Sequence, residues 1–205
     1  MIIHDPSEIE RRSFEIISSE LKTALPPENE LVVKRVIHTT ADFDYAENLV
    51  FSKKAVSEAL AVLRRGCGIV TDTQMASAGI NKAAAGKLGC SIYCFMGDPG
   101  VAKEAQTRGW TRAAVSMERA AALSQPLIFA VGNAPTALLS LCDLIQNGKL
   151  RPALVIGVPV GFVNVIEAKE AIMASGVSYI VARGRKGGSN VAAAIVNALM
   201  YQITR

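Results

Sequence analysis

Aromatic residues and histidines are scarce in this sequence of 205 residues. Phe, Trp and Tyr together make up 5% of the chain, and only two histidines occur, His4 and His38. With so few aromatic rings, the sequence shows no row of stacking side chains of the kind that binds single-stranded nucleic acid. The net charge of +4 is small, and the basic residues do not form a block. We therefore expect no nucleic-acid partner, although a mild positive charge suits an anionic small molecule.

Long hydrophobic runs and complete metal-ligand sets are also missing. No apolar run approaches the roughly 18 residues of a membrane span, and the first residues lack the pattern of a secretion signal. We therefore expect a cytoplasmic protein with no membrane partner. The four cysteines are Cys67, Cys90, Cys94 and Cys142. No histidine or second cysteine pair completes a metal set with Cys90 and Cys94, so we predict buried, reduced thiols and no metal site.

Common catalytic and nucleotide-binding motifs are absent as well. No strand is followed by Gly-x-Gly-x-x-Gly, and Gly-x-x-x-x-Gly-Lys-Ser/Thr does not occur. There is no Gly-x-Ser-x-Gly elbow, and no cysteine has a histidine close to it in sequence. If the chain is an enzyme, these absences favour one acid–base residue and extensive positioning of a reactive ligand, as in an isomerase or mutase.

What the sequence does contain is typical of an α/β protein. Half of the residues are hydrophobic, and most of these are aliphatic, as in buried parallel strands. Short apolar runs predict strands at 68–72, 91–95, 127–131, 153–157 and 178–182. Between and after them, periodicity predicts helices at 73–86, 100–124, 134–147, 164–175 and 188–203. This alternation predicts a doubly wound, mainly parallel five-stranded sheet with helices on both faces.

An N-terminal helical segment precedes this α/β core. We predict helices at 7–24, 28–40 and 53–65, and a less regular stretch at 41–51. Ser7 is the predicted N-cap of the first helix, with Glu10 in the capping-box position, and Ser52 is the predicted N-cap of the third. We expect one domain over residues 1–205, with the helical segment at 1–66 and the core at 67–205.

The second predicted helix carries the most informative side chains. At 3.6 residues per turn, five of its residues share one mostly apolar face: Val32, Val33, Val36, Ile37 and Thr40. His38 lies on the opposite face, with Arg35 one turn earlier. A histidine can exchange a proton near neutral pH, and an arginine can hold an anionic ligand. The alternative, a solvated histidine without a function, stays open from this geometry alone.

The loops that follow the predicted strands are rich in glycine, proline and small polar residues. Ligands of open α/β sheets bind at these carboxyl ends, where glycines and helix N-termini let the backbone approach an anion. The last loop, 183–189, adds the cations Arg183, Arg185 and Lys186 and is a candidate clamp for a carboxylate or a phosphate. Two alternatives remain: the glycines serve only tight turns, or the loop binds a nucleotide or phosphosugar.

Five sequence blocks together resemble one known family. They are Glu10-Arg11-Arg12-Ser13-Phe14, Arg35-Val36-Ile37-His38, Gly132-Asn133-Ala134-Pro135-Thr136-Ala137-Leu138, Gly157-Val158-Pro159-Val160-Gly161-Phe162-Val163 and Arg183-Gly184-Arg185-Lys186-Gly187-Gly188-Ser189. Nearly end to end, the chain resembles the precorrin-8X methylmutase family, also called cobalt-precorrin-8 methylmutase, of cobalamin biosynthesis.

The resemblance implies an isomerase that moves a methyl group between adjacent carbons of ring C of a corrin precursor. It implies that His38 is the catalytic residue and that Ser13 and Arg35 contact the substrate. It also implies a homodimer that holds the macrocycle near the subunit interface. The segment 39–43 is more similar to the cobalt-dependent branch of the family. Cobalt, where present, belongs to the substrate, and no separate cofactor is expected.

The many carboxylate arms of such a substrate suggest arginine partners. The candidates are Arg35, Arg112, Arg183 and Arg185. For Arg112 an ordinary solvated helix start is the alternative, and for Ser13 an ordinary polar helix residue. A different function with the same ligand is a non-catalytic corrinoid carrier, in which His38 only contacts the macrocycle or its cobalt.

Overall fold

A computed structural model describes residues 2–205 and contains one six-stranded sheet within that range. The strands lie side by side in the order β1-β6-β5-β4-β2-β3. Their bounds are β1 Leu49–Phe51, β2 Gly68–Thr71, β3 Ser91–Tyr93, β4 Leu127–Val131, β5 Leu154–Gly157 and β6 Tyr179–Ala182. Strands β2 to β6 are the five predicted strands, and they pair in parallel.

The prediction of five strands was wrong by one. Strand β1 pairs antiparallel with β6, with Leu49 opposite Ala182 and Phe51 opposite Ile180. It lies inside the stretch 41–51 that the sequence pattern leaves irregular. Three residues are too few to show an alternating pattern, and the partner that stabilises them is distant in sequence. The N-terminal segment therefore contributes an edge strand as well as helices.

Eleven α-helices surround the sheet within the described residues. They are α1 Pro6–Glu20, α2 Glu30–Thr40, α3 Tyr45–Asn48, α4 Ala55–Leu63, α5 Gln74–Gly79, α6 Lys82–Lys87, α7 Pro99–Arg108, α8 Arg112–Ala121, α9 Pro135–Gln146, α10 Val165–Ala174 and α11 Ser189–Thr204. None of them combines the length and the apolar character that crossing a membrane requires.

The helices cover both faces of the sheet, which confirms the doubly wound arrangement. Alternate strand residues enter different cores. Ile69 belongs to the core that includes side chains of α2, α4, α5, α6 and α11, whereas Val70 belongs to the core that includes side chains of α8, α9 and α10. Successive residues of such a strand are buried on opposite faces of the sheet. The strand therefore appears in the sequence as a continuous apolar run.

Helix α2 lies on α11, and α1 lies on α2. The predicted apolar face of α2 is confirmed, because Val32, Val33, Val36 and Ile37 are buried. Thr40, at the edge of that face, is only partly buried. The packing directs the other face of α2, with His38, away from the core.

Several predicted helix ends were wrong. Asp5 caps α1 by accepting a hydrogen bond of 2.8 Å from the Glu8 amide, so Ser7 is not the N-cap. Proline is well suited to the first turn of a helix, which moves the start to Pro6. Ser52 does not cap α4 either, because its hydroxyl accepts a hydrogen bond of 2.9 Å from the Tyr179 amide. That bond ties the end of β1 to β6.

Two long predicted helices are each divided into two. The predicted helix 73–86 ends at Gly79, and α6 restarts after Asn81, whose side chain accepts a hydrogen bond of 3.0 Å from the Ala84 amide. The predicted helix 100–124 is interrupted at Gly109, which has a φ of +65°. Thr111 then caps α8. In both cases a capping side chain begins the second helix.

Candidate functional site

The exposed face of α2 presents His38 to a groove between α1 and α2. The imidazole ring lies against Phe14 of α1, with the two ring centroids 5.6 Å apart and the planes tilted by 40°. The groove has a volume of ≈ 240 Å³ and is lined by Ser13, Ile16, Ile17, Glu20, Ile37, His38, Ala41 and Phe43. His38 therefore combines solvent access with a partly apolar wall.

Arg35 is held rigidly one turn before His38. Its guanidinium carbon lies 4.8 Å from the centroid of the Phe14 ring and 5.4 Å from that of Tyr201. The side chain is only 18% exposed and forms an ion pair with Glu10. Cation–π contacts on two sides and a carboxylate on a third fix the plane of the guanidinium.

Glu10 is the hub of this ion-pair cluster. It also pairs with Arg205, at 2.8 Å between Nη1 and Oε2. Partial burial alone would raise the pKa of Glu10, but the hydrogen bonds and charges of Arg35 and Arg205 lower it below its ordinary value. The capping-box role predicted for Glu10 was wrong, because its carboxylate reaches α2 and the C-terminus rather than the start of its own helix.

Ser13 lines the same groove. Its hydroxyl donates a hydrogen bond of 2.7 Å to the carbonyl of Ile9, one turn earlier in α1. The oxygen still has lone pairs that can accept a hydrogen bond from a ligand. Ser13 and His38 thus line the same groove. Arg35 lines a separate depression with Phe14 and Tyr201, and the Phe14 ring contacts both Arg35 and His38.

The loop 183–189, which the sequence marks as a candidate clamp, reaches the segment that follows His38. The Lys186 ammonium donates hydrogen bonds of 2.6 Å to Asp42 and 2.7 Å to Asp44. The hydrogen bond from Lys186 lowers the pKa of Asp42 despite some burial. Asp42 lies two residues beyond the end of α2, so this loop and the last turn of α2 are neighbours.

The two arginines of this loop differ in their surroundings. Arg183 binds both carboxylate oxygens of Glu170 on α10, each at 3.1 Å. The guanidinium carbon of Arg185 lies 5.3 Å from the centroid of the Phe162 ring. Phe162 itself is 82% exposed. No carboxylate among residues 2–205 forms a salt bridge with Arg185. Arg185 is therefore the cation of this loop with the most freedom to bind an anionic ligand.

Arg112 is not brought to His38 within this chain. It is the first residue of α8, is exposed, and donates a hydrogen bond of 3.4 Å to the carbonyl of Met96. Helix α8 packs on the face of the sheet opposite to α2. The guanidinium can contact a ligand there, at an exposed helix start, but not a ligand confined to the α1–α2 groove of the same copy.

Hydrogen bonds to the Asp72 carboxylate and one close backbone contact hold the strand-end loops together. Asp72, wholly buried at the end of β2, accepts hydrogen bonds of 2.8, 2.8 and 2.7 Å from the amides of Gly132, Asn133 and Ala134. Burial raises the pKa of Asp72, and these three donors oppose that effect. Gly132 in turn touches the start of α11, because a Cβ there would lie 2.6 Å from the Cα of Ser189.

The sequence did not predict which side chains hold Arg35. Glu10 and Phe14 are four residues apart, so they share a face of α1 with each other, and this spacing is the signal that could have identified them. Tyr201 gave no signal, because its contact with Arg35 depends on how α11 packs against α2. Within the described residues, no three His, Cys, Asp or Glu side chains are grouped so that they could hold a metal ion.

Over nearly its whole length, the chain is similar to known proteins. The family model of precorrin-8X methylmutase matches residues 8–202. The chain is 45% identical to cobalt-precorrin-8 methylmutase of Salmonella typhimurium, with 98% of this chain and 97% of the relative covered. It is 37% identical to precorrin-8X methylmutase of Pseudomonas aeruginosa, with 96% of each chain covered.

A solved structure supports the same relationship. The crystal structure of precorrin-8X methylmutase from Thermus thermophilus superposes with a TM-score of 0.86 at 40% identity, covering 94% of this chain and 96% of that one. Sequence and fold therefore agree over nearly the whole length: the chain belongs to the precorrin-8X methylmutase family, whose members are isomerases of cobalamin biosynthesis.

Proposed function

We propose that this chain catalyses the methyl shift on ring C of precorrin-8X or of its cobalt-containing counterpart, and that His38 donates the proton that assists it. The products are hydrogenobyrinate and cobyrinate, respectively. The observation that carries the proposal is the position of His38, exposed at a groove beside a guanidinium that Glu10, Phe14 and Tyr201 hold in place.

The chemistry needs few catalytic groups. A methyl shift around a conjugated macrocycle is intramolecular, so it needs no methyl donor, no hydride carrier and no nucleophile. We accordingly propose that the enzyme uses no cofactor. Protonation of the conjugated system lowers the barrier, and a positioned acid typically contributes about 10²–10⁴-fold in rate. The remaining acceleration comes from holding the ring in a reactive geometry.

The acidic periphery of the macrocycle provides the contacts for the cations. We propose Ser13, Arg35, Arg112, Arg183 and Arg185 as substrate-binding residues. Arg35 is pre-positioned, and Arg185 has no competing carboxylate among residues 2–205. Arg183 uses two of its five donors on Glu170 and can offer the others to the ligand.

We also propose that the enzyme is a homodimer with its site near the subunit interface. The α1–α2 groove holds ≈ 240 Å³, less than the roughly 300–1,000 Å³ of sites for drug-sized ligands. A tetrapyrrole is larger than such ligands, so one copy leaves much of it uncovered. The position of Arg112 on the opposite face of the sheet agrees with this proposal, because a second copy must supply it if it contacts a ligand at His38.

The experiment is to mix the purified protein with metal-free precorrin-8X and with its cobalt form, and to follow absorbance. We expect conversion, with the cobalt form preferred because of the segment 39–43, and a protein that stays coloured by retained product. Binding without spectral conversion would support a corrinoid carrier instead. Sedimentation velocity on the same sample tests the dimer, and a monomer that turns over at full rate would contradict it.

A further inference from the structure

Lys169 on α10 is a wholly buried lysine outside the groups discussed so far, with a relative exposure of 0%. Its amino group donates hydrogen bonds of 2.7 Å to the carbonyl of Gly184 and of 2.9 Å to the carbonyl of Lys186. Burial lowers the pKa of Lys169 to about 8. Burying an amino group costs free energy unless its hydrogen bonds are satisfied, so an apolar side chain of similar length would be the simpler choice there.

Both acceptors belong to the loop that carries the candidate clamp. The carbonyl of Arg185, between them, accepts a hydrogen bond of 3.2 Å from the Gly161 amide. Three successive carbonyls therefore accept hydrogen bonds. Those of Gly184 and Lys186 accept from the Lys169 amino group, and that of Arg185 accepts from the loop after β5. Without the amino group, the carbonyls of Gly184 and Lys186 would face the interior without their donor.

The backbone held in this way directs two side chains. Arg185 extends from it to Phe162, and Lys186 extends from it to Asp42 and Asp44, just beyond the last turn of α2. The position of this backbone therefore sets where the Arg185 guanidinium lies and how the loop contacts the segment after His38.

We propose that Lys169 is a positioning residue, which fixes the Gly184–Lys186 backbone so that Arg185 is presented to the acidic periphery of the substrate. The inference rests on the proposed function for the identity of the ligand. It does not place Lys169 in contact with that ligand, because the side chain is enclosed by α10 and the loop.

The experiment compares Lys169→Met, which removes the donors at nearly constant volume, with Lys169→Gln, whose amide can still donate two hydrogen bonds. Lys82→Met is the matched control, because Lys82 also donates to two backbone carbonyls, of Ser77 and Ile80, at the junction of α5 and α6. The readouts are amide hydrogen exchange of peptides covering 183–189, absorbance titration with hydrogenobyrinic acid, and kcat and KM.

For Lys169→Met we expect exchange in 183–189 to rise on the order of tenfold, in line with two lost hydrogen bonds. We expect the Kd for hydrogenobyrinic acid and the KM to rise by a similar factor, with kcat within about threefold. Lys169→Gln should recover part of each effect, and Lys82→Met should change none of them.

Unchanged loop exchange and unchanged Kd in Lys169→Met would overturn the proposal, and so would a loss confined to kcat. If Lys169→Met does not fold, the same outcomes are judged on Lys169→Gln. A wild-type protein that neither binds nor converts a corrinoid would refute the proposed function, whereas the exchange of 183–189 would still decide whether Lys169 holds the loop.

Discussion

Replacing Gly132 by alanine should destabilise the protein by pushing two backbone segments apart. Gly132 follows β4, and a Cβ at this position would lie 2.6 Å from the Cα of Ser189, 2.7 Å from the carbonyl oxygen of Gly188 and 2.8 Å from the amide nitrogen of Ser189. The φ of Gly132 is not in the left-handed region, so the conformation itself suits alanine. The penalty therefore comes from contact with backbone atoms alone.

The magnitude follows from how little those atoms can move. The Gly188 amide donates a hydrogen bond of 2.9 Å to the carbonyl of Val158, and the Gly132 amide donates one of 2.8 Å to Asp72. Overpacking typically costs about 1–3 kcal/mol, and with both sides anchored we expect the upper end, about 3 kcal/mol. For a chain of this size, a loss of that magnitude lowers Tm by roughly 6–12 °C.

Gly86→Ala is the matched control. A Cβ at Gly86, inside α6, meets nothing within 4 Å. Alanine there should stabilise the protein by roughly 0.5–1 kcal/mol, because it restricts the unfolded chain and favours the helix. Urea denaturation of both variants and the wild type measures the difference. Equal midpoints for the two variants would refute the reasoning, as would a stabilising effect of Gly132→Ala.

Two further predictions concern the thiols and the core. The hydrogen bond from Cys67 lowers the pKa of Cys90, whereas burial raises the pKa of Cys142 to about 11. Iodoacetamide at pH 8 should therefore label Cys90 well before Cys142 in the folded protein. Peptide mass spectrometry checks this, and equal labelling would contradict it. Leu138 is wholly buried. Leu138→Ala should therefore lower the free energy of unfolding, measured by urea denaturation, by roughly 2–5 kcal/mol. A loss below about 1 kcal/mol would mean that this core position is not well packed.

The fold was largely predictable because its central strands are buried on both faces and therefore appear as apolar runs. Strand β1 was missed because its pairing with β6 is supplied from far along the chain. The divided helices were missed for a local reason. Gly109 and the capping side chains of Asn81 and Thr111 are visible in the sequence, but apolar periodicity on both sides of each break concealed them.

The candidate site was predictable only in part. Periodicity placed His38 and Arg35 on the outer face of α2, and the resemblance added Ser13. The partners that hold Arg35 were not identified, since Tyr201 reaches it only through the packing of α11 on α2. Lys169 was also missed, because a lysine in an amphipathic helix is ordinarily solvated and only the fold shows it buried.

The role of His38 is tested most directly by a single-turnover experiment with His38→Asn, which keeps a polar side chain but cannot titrate near neutral pH. Enzyme in excess is mixed with the precorrin substrate, and binding and rearrangement are followed separately by absorbance. We predict that binding is retained and that rearrangement slows by about 10²–10⁴-fold. A rearrangement rate equal to that of the wild type would contradict proton donation by His38.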